Sequence, residues 1–333
     1  MFPCFARFIK LFSLNSEYIC CNMLKGVVIT SYGKVQFVRT DTGVYRCGLK
    51  GNLRRLNIRT TNPVAVGDRV LIELSGDMQG LIVEIEERRN YIIRRSTNLS
   101  KQAHVLAANI DMVLLLVTLK QPVTTTVFID RFLATAEAYR IDVTLVFNKI
   151  DIYTRNELEA VAELMACYHM AGYRVIETSV TKGTNLNKIK ELLNGKVSMI
   201  SGHSGSGKSS MINALDPGHM LSVGQISEMH LSGKHTTSYA QMLDLSFGGS
   251  IIDTPGIRGF GLIDLDKDEL YHFFREIFRF SEHCKYYNCK HVNEPGCAVL
   301  AAVEEGEIAL SRYESYLSLY LGEDDKFRKK SID

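Results

Sequence analysis

The stretch VSMISGHSGSGKSS, Val197 to Ser210, decides the fold of this chain. An apolar run of strand length enters a loop rich in glycine and serine, and residues that favour a helix follow. The loop fills the pattern G-x-x-x-x-G-K-[ST] with Gly202, Gly207, Lys208 and Ser209. Its glycines let successive backbone N–H groups point inward, and the following helix adds its positive N-terminal end. The stretch therefore predicts a cradle for phosphate rather than an ordinary surface turn.

The residue types of this loop have distinct places in nucleotide chemistry. Lys208 reaches the β- and γ-phosphates and is a predicted catalytic residue, and the Ser209 hydroxyl binds Mg²⁺. The predicted phosphate-binding set is Gly202, His203, Ser204, Gly205, Ser206, Gly207, Lys208, Ser209 and Ser210.

A second motif predicts the base. The tetrapeptide NKID, Asn148 to Asp151, follows an apolar strand and matches the pattern N-K-x-D. The Asp151 carboxylate can accept hydrogen bonds from the N1–H and the exocyclic amine of guanine, which adenine does not offer. Asn148 braces the loop, the Lys149 stem packs over the base, and Ile150 completes the motif. The nucleotide is therefore predicted to be GTP.

Three further loops complete the predicted nucleotide site. Ser179 and Val180 follow another strand and would present a backbone N–H to guanine O6, although an ordinary loop explains this stretch equally well. The tetrapeptide DTPG, Asp253 to Gly256, matches D-x-x-G. Asp253 would hold Mg²⁺ through water, and the Gly256 N–H would meet the γ-phosphate. In GKHTTS, residues 233–238, Thr237 rather than Thr236 is predicted to complete the Mg²⁺ shell as a catalytic residue.

The order of these motifs is unusual. The guanine loop precedes the phosphate loop and the switches follow it, whereas ordinary GTPases run from the phosphate loop to the guanine loop. The chain therefore looks like a circular permutation. Because the switch region leads directly into the carboxyl-terminal segment, loss of the γ-phosphate would pull on that segment.

The residue after D-x-x-G bears on the rate of hydrolysis. It is Ile257, where many GTPases place a glutamine that orients the attacking water. Isoleucine cannot orient water, so intrinsic hydrolysis is predicted to be slow and to need another group or a partner. His235 is the nearest candidate, because imidazole can orient water or accept its proton. The alternative is a switch histidine without a catalytic role.

Three thiols and one imidazole lie within fourteen residues near the carboxyl end. They are spaced Cys284-x4-Cys289-x-His291-x5-Cys297. This spacing suits one structural Zn²⁺ of Cys3His type, which replaces the core that so short a segment lacks. His283 could compete with His291 as a ligand, but the spacing favours His291.

The amino-terminal part of the chain has a different pattern. Five short runs rich in β-branched residues fit a small barrel such as the OB-fold, and an SH3-like barrel would fit equally. From Leu24 to Arg95, thirteen Lys or Arg stand against seven Asp or Glu, a net charge of +6 in a chain of +2. Seven arginines lie in a loop or after the last strand, namely Arg54, Arg55, Arg59, Arg88, Arg89, Arg94 and Arg95. A polyanion such as RNA is the predicted partner.

The predicted organisation is multidomain. An extension over residues 1–23 precedes an OB-fold RNA-binding domain over 24–95 and a polar linker over 96–108. Translation could start at Met1 or at Met23. Alternating strands and helices predict a parallel α/β GTPase domain over 109–265. A small zinc-binding domain over 266–333 would contain helices at 268–280 and 298–320. Eight cysteines without a disulfide pattern fit a reducing cytoplasm. No apolar run reaches the ~20 residues that a membrane span needs.

Together these motifs resemble the ribosome small subunit-dependent GTPase A family, the circularly permuted GTPases with an OB-fold and a zinc domain. The similarity covers residues 24–321 and rests on NKID, GHSGSGKSS, HTT, DTPG and the Cys3His spacing. It implies a GTP hydrolase that assists late assembly of the bacterial 30S subunit and binds 16S rRNA near the decoding region. It also implies stimulation by that subunit and departure on hydrolysis. Two features depart from the family, the Ser179-Val180 pair and the first 22 residues.

Two other functions fit the same residues. In one, GTP locks a conformation that grips RNA and hydrolysis is incidental; in the other, the GTPase serves a different RNA or protein. The predicted partners are GTP, GDP, the 30S subunit and 16S rRNA. The chain is expected to be a cytoplasmic monomer that binds no membrane.

Overall fold

The computed structural model describes residues 22–33, 35–51, 53, 63–95, 103–218, 240–253 and 267–322. It divides into two compact units, one formed by Met1–Asn109 with Thr237–Leu243 and the other by Ile110–Thr236 with Asp244–Asp333. Within the described ranges, no helix combines the length and the apolar character that crossing a bilayer requires.

The first unit contains a closed five-stranded barrel. Its strands are β1 (Met23–Tyr32), β2 (Val35–Thr40), β3 (Gly43–Leu49), β4 (Arg69–Gly76) and β5 (Gln79–Ile85). Their order is β1-β2-β3-β5-β4, and β4 pairs with β1 to close the barrel. The β3–β5 pair is parallel and the other pairs are antiparallel. Alternate residues point inward, so the core contains Val28, Val38, Cys47, Ile72 and Ile82. This closed arrangement confirms the predicted OB-like barrel.

A hairpin follows the barrel where the sequence predicted a linker. The strands β6 (Tyr91–Arg95) and β7 (Ala103–Ala108) pair antiparallel. The predicted linker over 96–108 was therefore wrong for Ala103–Ala108. The polar composition of residues 96–108 did not indicate the strand β7. The last two residues of this strand, Ala107 and Ala108, are fully buried. Residues 96–102 lie outside the described part of the chain.

The second unit contains the predicted parallel sheet. Its strands and helices alternate as β8 (Met112–Val117), α1 (Thr126–Ala138), β9 (Asp142–Phe147), α2 (Arg155–Met170), β10 (Arg174–Glu177), α3 (Leu186–Leu193), β11 (Val197–Gly202) and α4 (Lys208–Leu215). Within the first unit, Gln241 of the strand β12 (Gln241–Asp244) pairs with Thr30 of β1. The strand β13 (Ser250–Asp253) belongs to the second unit. Parallel pairs give the order β10-β9-β8-β11-β13. Every side chain of β8 is buried, as expected for a central strand covered on both faces.

The carboxyl-terminal helices belong to the same compact unit as the parallel sheet. They are a 3₁₀ helix (Lys267–Phe273), α5 (Arg275–Ser281), α6 (Ala298–Glu304) and α7 (Leu310–Leu321). A single helix over 268–280 was wrong, because the extended backbone of Phe274 divides it into two. A single helix over 298–320 was also wrong, because Gly306, with φ +77°, ends α6. Phe274, Ile277, Val299 and Tyr316 form the local core.

Candidate nucleotide and metal sites

The glycine-rich loop between β11 and α4 has a backbone that only glycine tolerates at two positions. Gly202 has φ +139°, and a Cβ there would lie 2.7 Å from the Leu116 carbonyl oxygen. Gly207 has φ +104°, and a Cβ there would lie 2.4 Å from the Asn148 amide nitrogen. Both contacts are closer than real Cβ atoms allow. The two motif glycines therefore let the loop curl tightly against the ends of β8 and β9.

Lys208 begins α4 and its side chain folds back over the loop. Its Nζ donates to the carbonyl oxygens of Gly202, at 2.8 Å, and His203, at 2.7 Å. The His203 carbonyl also accepts the backbone N–H of Ser206 at 3.1 Å. The ammonium is thus held at the mouth of a loop whose glycine conformations suit phosphate binding.

The guanine motif and the phosphate loop are joined by one buried amide. Asn148 Nδ2 donates to the Ser206 carbonyl oxygen at 2.8 Å, and the Asn148 backbone N–H donates to the Val117 carbonyl oxygen at 2.8 Å. Among the described residues, Asn148 Oδ1 and Ser206 Oγ are buried without a hydrogen-bond partner. The structure therefore brings together two motifs that lie 58 residues apart.

The carboxylate that would read guanine is exposed and held by a neighbouring loop. Ser179 Oγ donates to Asp151 Oδ1 at 2.5 Å, and Ser179 itself is fully buried. The Ile150 N–H donates to the Thr178 carbonyl oxygen at 3.3 Å. Lys149 adopts the left-handed region, with φ +69°, and its Nζ donates to the Gln121 carbonyl oxygen. The side chain of Ser179 thus has a partner that the sequence, which predicted a contact from its backbone only, did not indicate.

Other contacts that support the guanine loop were not predicted. The Tyr153 hydroxyl donates to the Asn148 carbonyl oxygen at 3.0 Å and accepts the Leu119 N–H at 2.8 Å. Glu157, in the first turn of α2, receives a hydrogen bond from Lys120 at 2.7 Å and forms a capping box with Thr154. The Lys120 hydrogen bond, followed by the Thr154 N–H, lowers the pKa of Glu157 to about 2. A Thr-x-x-Glu pattern before a helix is the sequence signal that could have identified this cap.

The predicted switch residues lie largely outside the described part of the chain. His235, Thr236, Thr237, Gly256 and Ile257 are among them, as are Arg54, Arg55 and Arg59 in the first unit. Asp253 is the last residue of β13, and its side chain is also outside the described atoms. Because β11 and β13 are parallel neighbours, the backbone of Asp253 lies at the same edge of the sheet as the phosphate loop.

The four predicted metal ligands meet at one point. The ligand atoms of Cys284, Cys289, His291 and Cys297 lie within 4.8 Å of one another, and His283 is not part of this group. His291 Nδ1 lies 3.6 Å from Cys284 Sγ and 3.5 Å from Cys297 Sγ, and these two sulfurs are 3.9 Å apart. A tetrahedral Zn²⁺ with its usual bond lengths sets about 3.6 Å between sulfur and nitrogen and about 3.8 Å between sulfurs. The residues present therefore fit a tetrahedral metal ion of this size.

Polar groups of neighbouring helices and loops hold the backbone of this cluster. The Tyr313 hydroxyl donates to the His291 carbonyl oxygen at 2.7 Å. Glu294 accepts the backbone N–H groups of Lys290, at 2.8 Å, and Val292, at 2.9 Å. Although burial raises it, these backbone hydrogen bonds hold the pKa of Glu294 at about 2.

Burial makes ionisation of the side chains in this cluster unfavourable. Burial raises the pKa of Cys289 to about 12 and also raises that of Cys297. Burial lowers the pKa of His291, whose Nε2 has no hydrogen-bond partner among the described residues. A bound cation would stabilise the thiolates and so offset the free-energy cost of ionising the buried thiols, which is the chemistry expected of a metal centre.

A buried group of charges fixes the carboxyl-terminal helices to the GTPase fold. Arg312, on α7, lies 2.8 Å from Asp130 Oδ1 on α1 and 2.6 Å from Glu276 Oε1 on α5. The Tyr168 hydroxyl of α2 donates to the same Asp130 oxygen at 2.8 Å. All three charged side chains are at most 3% exposed. The sequence did not predict this group, because its members come from three helices far apart in the chain.

Comparisons with known proteins agree with this architecture. The family described as RsgA GTPase matches residues 85–263, and the RsgA N-terminal domain matches residues 25–82. The small ribosomal subunit biogenesis GTPase RsgA of Christiangramia forsetii is 50% identical over 309 residues, which cover 92% of this chain and 98% of that relative. The protein of Bacteroides thetaiotaomicron named small ribosomal subunit biogenesis GTPase RsgA 2 is 51% identical over 92% of this chain and 99% of its own length.

Two solved structures are also similar. The crystal structure of YjeQ from Thermotoga maritima matches with a TM-score of 0.75 and 35% identity, over 90% of this chain and 98% of that one. The structure of YloQ, described as a circularly permuted GTPase, matches with a TM-score of 0.72 and 28% identity, over 91% of this chain and 96% of that one. The predicted circular permutation is therefore confirmed. The chain belongs to the RsgA GTPase family, and it is a GTPase.

Proposed function

We propose that this chain hydrolyses GTP as a late assembly factor of the 30S ribosomal subunit, that it binds 16S rRNA, and that the subunit stimulates the hydrolysis that releases it. The names of its relatives support a role in the biogenesis of the small ribosomal subunit. The observation that carries the chemistry is Lys208, whose ammonium is held by two carbonyls at the mouth of the glycine loop. The proposal includes a monomer that works in the cytoplasm.

The same loops would hold GTP and Mg²⁺. The phosphates would lie against Gly202 to Ser210, with Lys208 at the β- and γ-phosphates, and guanine would be read by Asp151. Ser209, Thr237 and Asp253 would hold Mg²⁺, which would supply positive charge to offset the negative charge that develops on phosphoryl transfer. The Ser179 hydrogen bond to Asp151 would help to orient the carboxylate for guanine.

Zinc is the proposed metal of the Cys3His cluster. Three thiolates and one imidazole prefer Zn²⁺ among the common divalent cations of the cell, and four protein ligands leave no open position. The role of this ion would be structural. It would hold the loops around Cys284 and Cys297 against α6 and α7.

The outer face of the barrel supports the RNA-binding part of the proposal. Phe37 on β2 is directly opposite Arg46 on β3, and both point away from the core. Tyr32 and Leu81 point outward on the neighbouring strands β1 and β5, with exposed fractions of 48% and 37%. Unpaired bases stack on such aromatic rings, and arginine binds the adjacent phosphates. Loss of RNA affinity in a Phe37→Ala variant with unchanged GTP binding would test this face.

A second function is favoured by Ile257, which cannot orient water. In that case GTP locks an RNA-gripping conformation and hydrolysis is incidental. The two functions differ in what controls departure from the subunit.

Release kinetics tests the proposal. The protein would be loaded onto purified 30S subunits with GTP or with a non-hydrolysable GTP analogue, and its dissociation would be followed by a fluorescent label. We expect the analogue to prolong residence strongly, and GDP to shorten it. Equal residence times with GTP and the analogue would favour the binding module and contradict release by hydrolysis.

A further inference from the structure

One aromatic contact connects α1 to the phosphate loop. The rings of Phe128, in the first turn of α1, and His203, the residue after Gly202, have centroids 4.2 Å apart and planes inclined by 34°. The two residues are 75 positions apart; Phe128 lies outside the nucleotide-binding motifs, and His203 occupies the first unspecified position of the phosphate-loop pattern. Both side chains are half-buried.

The backbone carbonyl of His203 accepts a hydrogen bond from the Lys208 ammonium. The His203 carbonyl oxygen accepts Lys208 Nζ at 2.7 Å and the Ser206 N–H at 3.1 Å. Its neighbours in the loop include two glycines, Gly202 and Gly205, with φ of +139° and +81°. Glycine supplies no side chain to fix its own peptide. Of the stretch from Gly202 to Gly205, His203 is thus the residue with a large side chain that can be held from outside.

The Phe128 ring is carried by a firmly anchored helix. The Thr125 side chain caps α1 by accepting the Phe128 N–H at 3.3 Å. Two residues further on, Asp130 is buried against Arg312 at 2.8 Å and receives the Tyr168 hydroxyl at 2.8 Å. Displacing α1 would leave these buried charges without partners, which is costly. The ring therefore presents a fixed surface to the phosphate loop.

We propose that Phe128 and His203 form a positioning pair for GTP hydrolysis, whose packed, mutually tilted rings hold the His203 peptide so that its carbonyl keeps the Lys208 ammonium in place. The pair acts through Lys208. It extends the proposed function by identifying side chains that fix the conformation of the phosphate loop. It rests on guanine-nucleotide binding at this loop and on no ribosomal partner.

The test measures binding of fluorescent GDP and the kcat and KM of GTP hydrolysis for Phe128→Leu, Phe128→Tyr and His203→Ala. An aromatic pair of this kind accounts for about a 2- to 12-fold change in an equilibrium. We expect Phe128→Leu and His203→Ala each to weaken GDP binding and raise KM by this factor. Phe128→Tyr keeps the ring and should restore both values. Phe278→Leu and His169→Ala, at exposed positions on α5 and α2, serve as matched controls.

The dependence on Lys208 separates positioning from a general loss of structure. If the pair acts through Lys208, Phe128→Leu should have no further effect on GDP affinity when it is combined with Lys208→Ala, and the melting temperature should stay near that of the parent protein. A full effect of Phe128→Leu in the Lys208→Ala background, or equal defects in the Leu and Tyr variants, would overturn the inference. Absence of any guanine-nucleotide binding in the unmodified protein would overturn the proposed function together with it.

Discussion

The phosphate loop and the Cys3His cluster belong to the same compact unit, and both fit a charged ligand, but their ionisable side chains have different surroundings. In the phosphate loop, the one charged group, Lys208, has two carbonyl acceptors, and Asn148 fastens the loop from the side. In the cluster, burial raises the pKa of Cys289 and Cys297, so ionising these thiols costs free energy that a bound cation would offset.

This difference separates two ways of building a site. The phosphate loop is shaped by backbone geometry, chiefly by glycines whose positive φ no other residue adopts readily. Its shape should therefore survive without GTP. The cluster brings together side chains that are stable in contact only when a metal takes the protons' place. Its shape should therefore depend on zinc.

The largest effect is expected at the metal cluster. Cys289→Ser should lose the bound zinc and lower the free energy of unfolding by about 4 kcal/mol, the contribution of a ligand present at a thousand times its Kd. Metal analysis and urea unfolding measure both quantities. Cys167→Ala is the matched control, because Cys167 is half-buried and lies outside the cluster. Full zinc content in the Cys289→Ser protein would contradict the assignment of this ligand.

The next effect concerns the phosphate loop. Lys208→Ala removes the ammonium that is proposed to meet the β- and γ-phosphates, so kcat/KM for GTP should fall by about 10²–10³-fold, as for other charge-stabilising donors. Because the glycines shape the loop, urea unfolding should change little. Lys188→Ala, at an exposed position on α3, should leave turnover unaltered. A Lys208→Ala protein that unfolds much more easily would mean that the loop depends on this side chain for its shape.

A smaller effect is expected at the loop that is proposed to bind guanine. Ser179→Ala removes the hydrogen bond that orients Asp151, and GDP should bind about 2- to 10-fold more weakly, because water replaces part of the lost bond at an exposed carboxylate. Isothermal titration with GDP measures the change. Thr181→Ala, an exposed hydroxyl in the same loop, is the control. Unchanged affinity in the Ser179→Ala protein would show that Asp151 is oriented by other groups.

The smallest effect is a pH dependence at the start of α2. The folded-state pKa of Glu157 is about 2, below its ordinary value of 4.5, so its contribution to stability is present above pH 4.5 and is lost as the pH falls toward 2. Glu157→Gln should lower the melting temperature slightly at pH 7. The difference from the parent protein should shrink between pH 4.5 and 2. A difference that stays constant over this range would show that the Lys120 and Thr154 hydrogen bonds do not stabilise the ionised carboxylate.

Sequence was sufficient for contacts between residues that are close in the chain. The phosphate loop, the NKID loop and the four metal ligands each lie within a short segment, and the spacing of their residues limits the geometry they can adopt. The parallel sheet was also predictable, because strands and helices alternate regularly from Met112 onward. The barrel was predicted from its five runs, although only the closed pairing of β1 with β4 decided between OB-like and SH3-like barrels.

Contacts between distant segments were not predictable. The ring contact of Phe128 with His203, and the pairing of Arg312 with Asp130, depend on how the helices pack on the sheet. The break at Phe274 was missed for a related reason, because its segment has helical composition and Phe274 packs into the local core. The break at Gly306 has a local signal that the prediction did not use, because glycine commonly follows the last turn of a helix.

The role in small-subunit assembly can be tested by measuring GTP turnover by the purified protein alone, with 30S subunits and with 50S subunits, each in parallel with Lys208→Ala. We predict slow turnover alone, a large rise with 30S subunits, no rise with 50S subunits, and no rise with either for the Lys208→Ala protein. Absence of stimulation by 30S subunits, or equal stimulation by both subunits, would contradict the proposed role.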